Sequence, residues 1–375
     1  MAESARYWRK PRPPHSRVKS EIVTAYFVAW AGVLNQSSEK LVYLDLYAGR
    51  GQYWTGEIST PLMVLRRAAE LPFLRDKLLA IFNDVKPLNC SHLRKLIDDE
   101  NFNVKFRNAP IVLQREVDEP LARVLGTKKK PPTFCFIDPY GYKGVSMQLI
   151  ESVVKDFACE CLVFFHTSGI NRNMDRPDCR PDFVRLFGEA RYKRLLGQSA
   201  ARARDREHCI LDAFAETARE AGARYVLPMQ FNFKRTRRIS HHLVFLTKHP
   251  LGFSIMKYVM AKHSSKTDEG IPWYGGRVSY VYIEGYEGCA KQLSFGIDGP
   301  MAELKDLLRK EFGGRWLRVR DVIDSCDKKQ YLYTSQNIKS ALSELEKDGR
   351  LHVRVPPARR RRKGTFADEL WIRIS

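Results

Sequence analysis

The chain has 375 residues, 44% of them hydrophobic, and 64 lysines and arginines outweigh 43 aspartates and glutamates to give a formal net charge of +21. That length buries one large core and leaves material for a second module, while a basic excess gathered at two places predicts a polyanionic partner, because clustered Lys and Arg displace counterions from phosphates. No stretch of 18 apolar residues occurs and no apolar run follows the basic start, so neither membrane spanning nor secretion is supported; the eight cysteines form no CxxC pair and no zinc spacing, and read as reduced thiols of the cytoplasm.

Residues 1–15 are polar, basic and proline-containing and predict an arm ordered on contact. Ser16 to Leu34 follows as an amphipathic helix, with Val18, Ile22, Tyr26, Phe27, Trp30 and Val33 at helical spacing, expected to support a sheet. Strands are predicted at Leu41 to Leu46, Leu79 to Asn83, Asn103 to Arg107, Thr133 to Ile137 and Cys161 to Phe165, separated by helical stretches. This alternation implies right-handed βαβ units and a mostly parallel sheet. Residues 168–222, rich in Arg and carrying Met174 to Asp182 as a loop, read as a helical insertion or lid. Arg224 to Phe233 and His241 to Thr247 complete a domain of residues 16–263 as a terminal hairpin. A Gly- and Tyr-rich connector, 264–298, leads to residues 299–375. There, three helices (Gly299 to Phe312, Val319 to Cys326, Thr334 to Lys347) precede two strands (Leu351 to Val355, Leu370 to Ile374) flanking a basic tip, a winged-helix pattern.

Chemistry gathers where strands end. Tyr43-Leu-Asp-Leu-Tyr-Ala-Gly-Arg-Gly-Gln-Tyr53 closes the first strand on Asp45 and runs into Ala48, Gly49 and Gly51, two glycines able to take positive φ and to let a ligand approach the backbone. The pattern D-x-x-A-G-x-G suits the amino-acid end of S-adenosylmethionine better than a pyrophosphate; a plain tight turn is the structural alternative. Asp84, at the end of the second strand, is placed to meet the cofactor ribose, and Asn108 to bond the adenine edge or to serve as a turn asparagine. Asp138-Pro139-Tyr140-Gly141 ends the fourth strand: a carboxylate and a neighbouring carbonyl there would accept from an exocyclic amine, with Tyr140 stacking on the base. Amine methyltransferases of bases normally carry Asp-Pro-Pro-Tyr, and one proline is missing here. His166, Asn171, Arg172 and Lys143 lie near the same edge as candidate contacts to a substrate phosphate or base. Lys234, Arg235, Arg237 and Arg238 at the hairpin turn, and Arg359, Arg360, Arg361, Arg362 and Lys363 at the wing tip, extend the basic surface.

Tyr43 to Tyr53, Ser59-Thr-Pro-Leu62, Phe136-Ile-Asp-Pro-Tyr-Gly141, Ile170-Asn-Arg172 and Phe245-Leu-Thr-Lys-His-Pro-Leu-Gly252 with Met256 together resemble the three-Cys-motif partner proteins, a bacterial or phage-associated family, over residues 16 to 265. The resemblance implies a class I methyltransferase-like sheet and a partner protein that carries three cysteines and is similar to radical S-adenosylmethionine enzymes. Ser59-Thr60-Pro61 departs from the family's usual Gly-Ser-Pro, and Tyr140 from a common Phe.

Three functions fit these residues. The first is an S-adenosylmethionine-dependent methyltransferase, or a protein derived from one, acting on nucleic acid, DNA ahead of RNA. The second is a metal-dependent nuclease or repair enzyme with Asp45, Asp84 and Asp138 converging on Mg²⁺. The third is a non-catalytic adaptor whose winged helix docks DNA, with Thr334 to Lys347 in the major groove, while the Rossmann-like domain holds the radical-enzyme partner.

Overall fold

A computed structural model describes residues 11–197, 203–232, 239–267, 270–274, 277–284, 300–355 and 361–375. Two compact units divide the chain, Met1–Ile255 and Met256–Ser375.

In the first unit the strands are β1 (Leu41–Asp45), β2 (Leu78–Asn83), β3 (Ile111–Leu113), β4 (Thr133–Ile137), β5 (Glu160–Phe165), β6 (Tyr225–Asn232) and β7 (Ile239–Thr247). Runs such as Leu41-Val-Tyr-Leu-Asp45 and Thr133-Phe-Cys-Phe-Ile137 are buried at every position, as a sheet covered on both faces requires. The strands line up in the order β3-β2-β1-β4-β5-β7-β6. β1 pairs in parallel with β2 and with β4, bringing Asp45 opposite Phe82 and Phe136; β4 pairs in parallel with β5. β7 returns antiparallel to both β5 and β6. Strand order therefore reverses between β1 and β4, where open α/β sheets bind ligands at strand carboxyl ends.

The first helix, Pro14–Leu34, starts with a proline at its first turn, where a missing N–H costs nothing. It buries Ile22, Val23, Tyr26, Phe27 and Trp30 over the sheet, with the Tyr26 ring 4.6 Å from that of Phe245 and the Phe27 ring 5.2 Å from that of Tyr43. On one side of the sheet the helices Glu119–Thr127, Met147–Val154, Arg180–Phe187, Glu189–Gly197 and Ala203–Glu220 share a single core that includes Phe183, Phe187, Tyr192, Ile210 and Phe214. Phe214 stacks on Phe165 at 4.2 Å. The stretch expected as an insertion or lid is thus packed into the core: its apolar residues recur at helical spacing and are buried against β5.

The third strand is displaced from its expected place. Asn103 to Arg107 falls on a short helix, Phe102–Lys105, with the Phe102 and Phe106 rings 6.0 Å apart and Val104 exposed; the strand is Ile111–Leu113, paired to β2 alone.

In the second unit the helices Pro300–Phe312, Val319–Lys328 and Ser335–Lys347 enclose a core with Leu304, Leu308, Val322, Ile338, Leu342 and Leu345. Thr334 caps the last of them in a reciprocal box with Asn337. A three-stranded antiparallel sheet closes this core, its central strand Trp371–Ile374 flanked by Trp316–Arg318 and Leu351–Arg354. Lys257 belongs to this unit: its buried ammonium is held by the Asp327 carboxylate and by the carbonyls of Tyr331 and Tyr333 at 3.0 and 2.7 Å. The unit boundary accordingly precedes 263. Most of the expected connector, 264–298, and the expected arm residues 1–10 lie outside the described residues.

Candidate cofactor and target site

The loop after β1 is held by its own polar groups. Asp45 is 1% exposed and its Oδ1 accepts the Tyr47 N–H at 3.1 Å. Burial pushes this carboxyl up to about 8, the nearby charges of Asp138 and Asp84 add to the rise, and the Tyr47 N–H and Lys19 oppose it. Ala48 is buried and its N–H donates to Asn83 O at 2.8 Å. Gly49 and Gly51 both adopt positive φ, 67° and 86°. A Cβ on Gly51 would sit 2.8 Å from Leu93 Cδ1, so this glycine serves chain direction and packing on Leu93 rather than ligand approach.

Asp84 braces the loop. Its Oδ2 accepts the Gly49 N–H and the Asn89 amide, each at 3.1 Å, and its Oδ1 accepts the Lys86 N–H at 2.7 Å. A lone pair on Oδ1 is left for a ribose hydroxyl. Asn108 is not at this edge. It precedes β3 and donates to Leu78 O at 3.1 Å, at the amino end of β2, so the adenine contact expected of it is corrected to a turn role.

Past β4, Asp138 is partly exposed, Pro139 is buried and Tyr140 is 76% exposed. The Asp138 Oδ2 is paired with Lys19 Nζ, whose side chain is 8% exposed and lies 4.1 Å over the Phe164 ring. Lys19 comes from the first helix and was missed in the sequence. Its signal was a cation in register with Ile22, Val23, Tyr26 and Trp30, the stripe that the helix buries.

A histidine group completes the edge. His241 is 5% exposed, enclosed by the Phe164 ring at 4.0 Å, Phe231 at 4.9 Å, His15 at 5.5 Å and His166 at 6.4 Å. Ser240 Oγ gives its proton to Phe231 O at 2.9 Å, so the 2.8 Å contact with His241 is donated by Nδ1. That tautomer leaves His241 Nε2 as a buried lone pair with no hydrogen-bond partner. Burial holds His241 well below the usual imidazole range, and His15, Lys19, His166 and His242 reinforce this; burial and Arg172 lower His166. Both rings are neutral at pH 7.

The remaining basic candidates divide. His166 caps the helix Thr167–Asn173, Asn171 is buried, and Lys143 and Arg172 are exposed. Lys234, Arg235, Arg237, Arg238, Arg359 and Arg360 lie outside the described residues. Arg361 is corrected: its Nη1 and Nη2 fork onto Glu346 at 2.6 and 2.7 Å, and its guanidinium lies 4.7 Å over Phe366. It braces the base of the tip, while Arg362 and Lys363 point to solvent.

The Mg²⁺ alternative loses its ligands. Among the described residues no group of three or more His, Cys, Asp or Glu side chains is placed to hold a metal ion; Asp45 is buried on Tyr47, Asp84 braces the loop and Asp138 pairs with Lys19. Among the described residues no helix is long and apolar enough to cross a membrane.

No family model matches the sequence, and no curated protein matches it. Similar solved structures include an rRNA methylase from Streptococcus thermophilus (10% identity, 64% of this chain and 97% of that one, TM-score 0.32) and protein LPL1258 from Legionella pneumophila (13% identity, 63% and 87%, TM-score 0.38). An S-adenosylmethionine-dependent methyltransferase from Clostridium acetobutylicum is similar over a smaller part (12% identity, 40% of this chain and 53% of that one, TM-score 0.26). At these identities and scores the weight rests on this chain's own strand order and register: it carries a Rossmann-like, mostly parallel α/β sheet, followed by a helical unit with a small antiparallel sheet.

Proposed function

We propose that the chain is an S-adenosylmethionine-dependent methyltransferase-like protein of the cytoplasm acting on nucleic acid, a member of the three-Cys-motif partner family working beside a radical-enzyme-like partner. The observation that carries this reading is the placement of Asp45 and Asp138 at the ends of the adjacent strands β1 and β4, where strand order reverses, with Lys19 paired to Asp138. The residues present fit the cofactor. A buried carboxyl raised to about 8 is stabilised by an incoming cation, which the cofactor ammonium supplies, and Gly49 and Ala48 present backbone held from behind by Asp84 and Asn83. When bound there, the cofactor supplies an electrophilic methyl group.

The protein's own groups then place the nucleophile. Lys19 holds Asp138 Oδ2 and leaves Oδ1 to accept from a target amine, and Tyr140 offers an exposed ring for a splayed base. An aligned amine needs no strong base for attack, so proximity and charge placement carry the rate; His241 Nε2 is a neutral acceptor at the same edge. The order of elements from Pro300 onward, helix, strand, two helices and two strands, supports a winged helix that docks DNA through Ser335–Lys347, Arg362 and Lys363. Asp138→Asn is expected to abolish methyl transfer while leaving S-adenosylhomocysteine binding within a few-fold of wild type. Loss of cofactor binding in that variant would count against the role given to Asp138.

A further inference from the structure

Alternation along the strands of the three-stranded sheet in the second unit sorts their side chains onto two faces. Leu317, Leu351, Val353, Ile372 and Ile374 pack on the helical core. Trp316, Arg318, His352, Arg354, Trp371 and Arg373 occupy the opposite face, all exposed except the half-buried Trp316. Register brings them into two rows, Trp316 beside Arg373 beside His352, and Arg318 beside Trp371 beside Arg354. The Arg354 guanidinium lies 4.0 Å over the Trp316 ring and that of Arg373 lies 5.5 Å from it. Trp371 is 46% exposed.

Six outward positions on a water-facing sheet thus carry two tryptophans, three arginines and a histidine, with no acid among them. Asp321, on the neighbouring helix, pairs with Arg318 through both carboxylate oxygens at 3.0 and 3.2 Å, so among the described residues the charge on this face without an ion pair is that of Arg354 and Arg373. An ordinary solvated face interleaves both signs and spends few large aromatic rings. Flat rings diagonal to one another on neighbouring strands, flanked by guanidinium groups, match a ligand with successive π faces and a phosphate between each pair.

We propose that this sheet face is a stacking platform for single-stranded nucleic acid, a second contact surface distinct from the wing tip and from the helix Ser335–Lys347. Bases stack on Trp371 and on the Arg354 guanidinium layered over Trp316, and the charges of Arg354 and Arg373 meet the adjoining phosphates. The platform acts independently of methyl transfer. It also gives the chain a means of holding an unpaired strand, which a duplex-docking helix does not.

The test uses the full chain and fluorescence anisotropy with a labelled twenty-nucleotide oligothymidylate, competed with the corresponding duplex. Trp371→Ala and Trp316→Ala are expected to weaken single-strand binding by about 5- to 100-fold each, and Arg354→Gln with Arg373→Gln to lower the slope of log affinity against log salt by about 1.4. Trp371→Phe keeps a stacking ring and should retain most of the affinity, which separates stacking from loss of fold; far-ultraviolet dichroism checks the fold directly. Unchanged single-strand affinity in both alanine variants, or loss confined to Arg362→Gln with Lys363→Gln, would overturn the proposal. Trp371→Ala should leave S-adenosylhomocysteine binding, followed by calorimetry, as it is in wild type, so failure of the cofactor reading is seen separately.

Discussion

Removing the Lys19 cation is the perturbation that most directly probes how the target edge is built. Lys19→Met keeps the aliphatic stem and length on the first helix but deletes the ion pair to Asp138 and the charge over the Phe164 ring. Breaking a fully buried pair from one side costs about 3–5 kcal/mol, and an exposed pair about 0–1 kcal/mol. Here the lysine is 8% and the aspartate 23% exposed, so water still reaches the stranded carboxylate and a loss of about 2–3 kcal/mol is expected; the cation–π contact contributes about 1 kcal/mol of that. Asp138→Asn alone leaves a buried ammonium and should cost a similar amount. In a double-mutant cycle by urea denaturation, Lys19→Met with Asp138→Asn should be less destabilised than the sum of the singles by about 1–2 kcal/mol. Additive effects, or a Lys19→Met variant within about 0.5 kcal/mol of wild type, would refute the claim that Lys19 is what holds Asp138.

Glu160, buried at the amino end of β5 with Thr247 Oγ1 donating at 2.6 Å and Tyr26 Oη also donating, is raised to about 7, chiefly by burial. Its native value exceeds its unfolded one, so it binds a proton more readily when folded, and its contribution is present below pH 4.5 and is lost as pH rises through about 7. Glu160→Gln should flatten the fall of stability over that window, followed by urea midpoints at pH 5 to 8. Gly51→Ala should destabilise by about 1–3 kcal/mol, since it combines positive φ with contact on Leu93; a thermal melt that does not move would contradict that packing. Arg361→Gln should destabilise by about 2–4 kcal/mol, because it strands Glu346 in a pair whose side chains are each 11% exposed, whereas Arg362→Gln should stay within about 0.5 kcal/mol. Equal effects of the two would return Arg361 to the solvent-facing set.

Much of the sheet was legible because its central strands are apolar almost throughout and run into an acid at the carboxyl end, Asp45 or Asp138: Leu41–Asp45 and Thr133–Ile137 stand where that pattern put them. β3 was not, since three half-exposed residues at a sheet edge give almost no pattern, while Val104 and Phe106 nearby imitate alternation on a short helix. The short strand Trp316–Arg318 escaped notice for the same reason, and with it the exposed face that it completes. Within the site, Asp45 and Asp138 were visible as acids at strand ends. Their partners were not: Lys19 lies 119 residues from Asp138 in sequence, and only folding converts a lone cation on an apolar stripe into an ion pair. Arg361 shows the converse. Inside a run of like charges one member is turned inward by a carboxylate from the helix Ser335–Lys347, which no local composition distinguishes from its neighbours.

The central claim, that the loop from Asp45 to Gly51 holds a cationic nucleotide cofactor, is tested most directly by titration calorimetry of S-adenosylhomocysteine into wild type and Asp45→Asn between pH 6 and 7.5. With the free carboxyl titrating near 8, binding of an ammonium must release a proton, so wild-type affinity should rise by as much as about tenfold per pH unit and the measured heat should vary with buffer ionisation enthalpy. Asp45→Asn should bind weakly and without that dependence. Absence of binding by wild type, or equal affinity of the two proteins with no proton release, would contradict the account.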